Sequence, residues 1–102
     1  SDRRLKKDFE EVQDALSKVA ALHPVYYNWT NRNTMNPDVK EIGFIAQEVE
    51  EVLPAVVTTD ADEMNTKRVA YDRVVSLLVA AMKEQSAVIA ALEARLAALE
   101  SK

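Results

Sequence analysis

Few side chains in this sequence are equipped for chemistry. It has a single histidine, His23, and no cysteine. A histidine/cysteine zinc site cannot therefore be assembled within one chain, and His23, before a proline at a helix end, reads as structural or surface rather than catalytic. The only glycine, Gly43, rules out a glycine-rich phosphate loop. The carboxylates of QEVEEV (Glu48, Glu50, Glu51) lack an inward-pointing partner set and read as a solvated helix face rather than a metal cluster. Tyr26, Tyr27 and Trp29 have rings that stack on bases, but no lysine or arginine surrounds them, so they fit a sheet face or a subunit contact better. Asn28-Trp29-Thr30 matches the glycosylation sequon, which carries little weight without a secretory signal. Ser1 and Lys6 remain. A lysine serves as base to a serine when burial and neighbouring positive charge push it toward the neutral form. Unperturbed, roughly one lysine in 2,500 is neutral at pH 7. Arg3, Arg4 and Lys7 offer the like charge, and packing in an oligomer would add desolvation. On these residues alone the plainer alternative, a helix-capping serine near a surface lysine, stays open.

Composition narrows the classes further. A chain of 102 residues is one domain at most, with a modest core. Hydrophobic residues make up 48%, too many for a disordered chain, and they concentrate in the last third. One glycine and three prolines favour helices over a turn-rich β fold. A net charge of -4 without a basic stripe argues against nucleic acid as a partner. No uninterrupted apolar run approaches the ~18 residues of a membrane span, so the chain is expected to be soluble with no membrane partner. No cofactor is implied.

The elements that must position Ser1 and Lys6 follow from spacing. Leu5, Phe9, Val12, Leu16 and Val19 recur at four-three intervals, predicting one helix that Ser1 or Asp2 caps and that ends before His23-Pro24. VYYNWT, residues 25 to 30, predicts a strand, followed by a polar loop over 31 to 38. KEIGF predicts an extended piece, and IAQEVEEVLP a short helix with Ile45, Val49 and Val52 or Leu53 on one face, stopped by Pro54. AVVTTD and TKRVAY, joined by ADEMN, predict a hairpin over 55 to 71. The fold class is therefore α+β, mainly α: a helix/β-hairpin body over residues 1–71, then a C-terminal helix over 72–102 of ~45 Å at 1.5 Å per residue.

That last helix carries a heptad. Position a holds Val75, Met82, Ile89 and Leu96, and position d holds Leu78, Gln85, Leu92 and Leu99. Such a seam must pack against copies of itself or against the body. Small and apolar residues at g (Val74, Ala81, Val88) and e (Val79, Ser86) widen the stripe, which favours three or more strands over two. Gln85 is a polar layer able to fix register, and Arg95 can pair with Glu100 between parallel neighbours for ~0.5 kcal/mol. A parallel homotrimeric coiled coil is expected.

SDRRLKKDF, EIGFIAQEVEEVLPAVV and YDRVVSLLVAAMKE occur in that order. Together they resemble the C-terminal intramolecular chaperone domain of phage endosialidases, tailspikes and tail fibres, a self-cleaving domain also known in the myelin regulatory factor family of animals. The likeness runs from Ser1 to about Lys83 and rests on S-D-x-x-x-K followed by G-F-I-A-Q-E-V-x-x-x-L-P. It implies a homotrimer that aligns and folds a fused fibre or spike polypeptide in the cytoplasm of the infected host, then cuts itself off. By the same resemblance Ser1 and Lys6 are the catalytic dyad of a single-turnover serine peptidase. The cut falls just before Ser1, which makes this chain the cleaved product. Asp2 is expected to orient the first turn, and Gln47 and Glu48 to make structural contacts near the site.

Overall fold

The computed structural model describes residues 1–31 and 34–102. Three helices carry most of the regular secondary structure: α1 over Ala15–Ala21, α2 over Ala46–Val52 and α3 over Tyr71–Glu100. Two antiparallel hairpins complete it. In the first, β1 (Val25–Tyr27) pairs with β2 (Glu41–Gly43), with Tyr26 opposite Ile42. In the second, β3 (Val57–Thr59) pairs with β4 (Lys67–Val69), with Thr58 opposite Arg68. The α+β, mainly helical class and the long C-terminal helix are as the spacing predicts. Pro54 ends α2 and opens a 3-10 turn over Pro54–Val56, where its missing N–H is harmless.

Six apolar side chains are buried among the described residues, and all are small or medium. Ala15, Leu77 and Ala81 form one cluster, with Leu16, Val19 and Leu22 packed on it. Val49, Val56 and Val74 form the other, joined by Phe44, Leu53, Val57 and Val69. Leu22 and Leu53 touch both. The first turns of α3 are thus the post against which α1, α2 and the second hairpin lean. Beyond Glu84 the helix leaves the body. The resulting rod gives a radius of gyration of 19.0 Å, against about 13 Å for a compact chain of this length.

Several expectations need correction. The N-terminal helix does not begin near Asp2: Arg3–Leu5 form one 3-10 turn, residues 6–13 are irregular, and α1 starts only at Ala15. Leu5 and Phe9 are 86% and 61% exposed, so no packing rewards a helix there, and Asp8 and Asp14 take left-handed conformations at φ 57° and 54°. The strand over 25 to 30 stops at Tyr27; beyond it the Asn28 amide donates to the Pro37 carbonyl at 3.1 Å, and the Trp29 indole N–H donates to Glu41. Ile45 shares no core with Val49; it precedes α2 and stays exposed. Val74 and Ala81 do not widen a seam, because the chain's own body already covers them. By length and average apolarity α3 could also cross a membrane, which the lack of an uninterrupted apolar run did not suggest. Lys83 and Glu84 fall midway along it, however, where a span tolerates charge least.

Candidate functional site

Ser1 and Lys6 sit at the two ends of the first turn. The Asp2 carboxylate caps that turn, accepting from the Arg4 backbone N–H at 2.8 Å and from the Arg4 guanidinium at 3.1 and 2.8 Å. Those bonds hold Asp2 below the usual carboxylate range, the Arg4 side chain contributing most. The backbone closes with Leu5 N–H on the Asp2 carbonyl (3.0 Å) and Lys6 N–H on the Arg3 carbonyl (3.2 Å). Ser1 and Lys6 are both exposed, and among the described residues no hydrogen bond joins them. Of the cations expected beside Lys6, Arg4 is neutralised by Asp2, and Arg3 lies over the Phe9 ring at 5.0 Å. Within one chain the pair therefore has a defined turn but neither burial nor mutual contact.

The second motif builds a different feature. The Phe44 N–H donates to the Tyr71 hydroxyl at 3.0 Å, and the two rings stack at 5.9 Å. This brings the start of α3 hard against β2. A Cβ on Gly43 would stand 2.5 Å from the Tyr71 hydroxyl oxygen and 3.3 Å from the Tyr27 ring. Close approach, rather than an unusual backbone angle, is what requires glycine here. Tyr27 meets Trp29 edge-on at 5.3 Å, and burial first, then Glu41 and Tyr71, push its hydroxyl pKa up. Tyr27, Trp29, Phe44 and Tyr71 line a groove of about 1000 Å³, with Gln47 and Lys67 on its rim. Glu48 faces the His23 imidazole at 3.4 Å, and Glu50 forms an ion pair with Lys67 at 3.0 Å.

The heptad residues lie on α3 away from the body. Val75, Leu78, Met82, Ile89, Leu92, Leu96 and Leu99 are between 42% and 67% exposed, and Gln85 is exposed with them. The body occupies a neighbouring stripe: Val74, Leu77, Ala81 and Glu84. Glu84 is the residue that spacing did not reveal. Its carboxylate reaches the start of α1, accepting from the Ala15 N–H at 3.1 Å and from the Leu16 N–H. Asp14, in the capping position, makes no side-chain cap bond. An acid interrupting an apolar stripe at four-three spacing was the one signal available for it.

Comparison with known proteins bears on this arrangement. A peptidase family described as chaperone of endosialidase matches residues 1–58. The chain is similar to the long tail fiber protein Gp37 of Enterobacteria phage K3 and of Enterobacteria phage T2, 35% identical over 98 residues in each case, or 94% of this chain. It is also similar to the long tail fiber protein Gp37 of Salmonella phage S16, 36% identical over 86 residues and 80% of this chain. It spans only 8%, 7% and 12% of those three relatives' own lengths. The matched stretch contains the Asp2-capped turn and the Gly43-Phe44 side of the contact with Tyr71, and the chain belongs to the chaperone-of-endosialidase family.

Proposed function

We propose that this chain is the trimerising chaperone segment of a phage fibre or tailspike polypeptide, and that it releases itself by cutting the bond before Ser1. The observation that carries the first half is the uncovered seam from Val75 to Leu99, adjoining a face that the body has already filled. Three parallel copies bury it, with Gln85 as the polar layer and Arg95 beside a neighbour's Glu100. Long β-rich chains meet in register slowly, because loop closure comes before any reward. A trimer at one end converts that encounter into an intramolecular one at high effective concentration. The work belongs to the host cytoplasm during assembly.

For the cut, the Ser1 hydroxyl attacks the carbonyl of the preceding residue while Lys6 takes its proton. The amide becomes an ester on the Ser1 oxygen, the Ser1 amine leaves with the proton, and water then cleaves the ester. Burial of Lys6 has to come from the assembled trimer, so cutting reports assembly. The exposure of Ser1 and Lys6 favours a second reading, a trimerisation module that never cleaves. A precursor carrying the preceding fibre separates them. Mass spectrometry should find a fragment beginning at Ser1, while Ser1→Ala and Lys6→Ala precursors stay whole yet sediment as trimers. Normal cutting of either variant would sink the dyad, and a monomer at micromolar concentration would sink the seam.

A further inference from the structure

The body-facing stripe of α3 does not end at Glu84. The spacing of Val74, Leu77, Ala81 and Glu84 continues through Val88, Ala91, Arg95 and Ala98, all exposed. We propose that this second half of the stripe is the docking surface for the chain's own N-terminal arm, residues 2–13, and that Glu84 is the latch holding the arm off.

Three observations lead there. First, the surface continues an established interface. α1 runs antiparallel to α3, its start at Glu84 and its end, Leu22, against the cluster around Val74. Each residue before Ala15 would therefore lie opposite one after Glu84: Val12 beside Val88, Phe9 beside Ala91, Leu5 beside the stem of Arg95. The lengths agree, since 12 arm residues as a helix span about 18 Å and α3 runs about 24 Å beyond Glu84. Second, the arm carries the matching pattern in the wrong conformation. Leu5, Phe9 and Val12 share a face with Leu16 and Val19 only if the helix continues, yet Leu5 and Phe9 are exposed, Val12 is half-exposed beside Leu53 and Leu77, and Asp8 and Asp14 hold left-handed angles. Third, the two arrangements exclude each other through named hydrogen bonds. In a continuous helix the Ala15 and Leu16 N–H groups donate to the carbonyls of Glu11 and Val12. In the structure both donate to Glu84 instead. The device is a two-state exchange in which one carboxylate competes with an extension of α1. It stands whether or not Ser1 cuts.

Glu84→Ala in the full chain tests it. A simple cap and a latch predict opposite signs. The latch predicts more far-UV helical signal, by roughly the arm's 12 residues, and slower amide exchange over residues 3–13. Lower or unchanged helicity with a freely exchanging arm overturns it. Should that variant lose its cooperative unfolding, the cysteine-free parent sequence allows a second measurement. Val12→Cys with Val88→Cys, oxidised in an otherwise unaltered chain, should close an intrachain disulfide. Free thiols overturn the docking, and so do disulfides between chains, which would hand the stripe to a neighbour's arm.

Discussion

At the scale of single residues, the informative contact is between Gly43 and Tyr71. Any side chain at 43 meets the Tyr71 hydroxyl, which is itself held by the Phe44 N–H. Gly43→Ala should destabilise by about 1–3 kcal/mol through overpacking, and Tyr71→Phe by about 1 kcal/mol through the lost acceptor. In the double variant the clash is gone, so the effects should fall short of their sum in a denaturant-melt cycle. Purely additive effects would mean that the two residues do not meet. Asp62 offers a pH test. Its carboxylate accepts from the Thr66 N–H at 2.8 Å and the Thr66 hydroxyl at 2.6 Å, and these bonds, the hydroxyl's first, lower its pKa. A depressed folded pKa means stability present above the ordinary aspartate range and lost as pH falls through the lower value. Protection of the Thr66 amide should therefore persist to below about pH 4 and then vanish; Asp62→Asn should flatten that dependence.

At the scale of elements, sequence spacing served α2, the second hairpin and α3 well, because each has a strong local reason to exist. Pro54 stops α2, Asp62 and Asn65 shape the β3–β4 turn, and no breaker interrupts α3. It failed where local pattern and tertiary competition disagree. Leu5, Phe9 and Val12 carry an amphipathic pattern as good as that of Leu16 and Val19, but the latter pair packs on the buried cluster with α3 while Leu5 and Phe9 stay exposed. The partner that caps the start of α1, Glu84, lies 69 residues from Ala15, beyond any window a periodicity can sense. The motif around Gly43 was visible as a string of letters; that it exists to admit Tyr71 was not. The exposed stripe of α3 carries the heptad residues, while the place of Val74 and Ala81 on the body side was not legible, because two stripes of one helix look alike until one is covered.

At the scale of the whole molecule, the two faces of α3 should respond differently to substitution. Leu77→Ala removes a side chain only 2% exposed and shared with α1, and should cost about 2–5 kcal/mol at any chain concentration. Leu92→Glu alters a residue that is 57% exposed and outside both buried clusters, and should leave the body folded while lowering the sedimenting mass. If Leu92→Glu instead unfolds the body in proportion to Leu77→Ala, the two faces are not independent. Gln85→Leu should raise the melting temperature of an assembled trimer and loosen its choice of oligomer number, measured by melting and by light scattering. With so small a core in one chain, unfolding of the wild type should shift to higher temperature as concentration rises.

Both buried clusters are completed by residues of the last helix, Leu77 and Ala81 in one and Val74 in the other. During synthesis the first 70 residues must therefore wait, for several seconds at about 5–20 residues per second, until α3 has emerged. A ribosome that stops early leaves a chain with neither cluster and no latch for α1. Emergence of α3, not local folding, is what licenses the body to form.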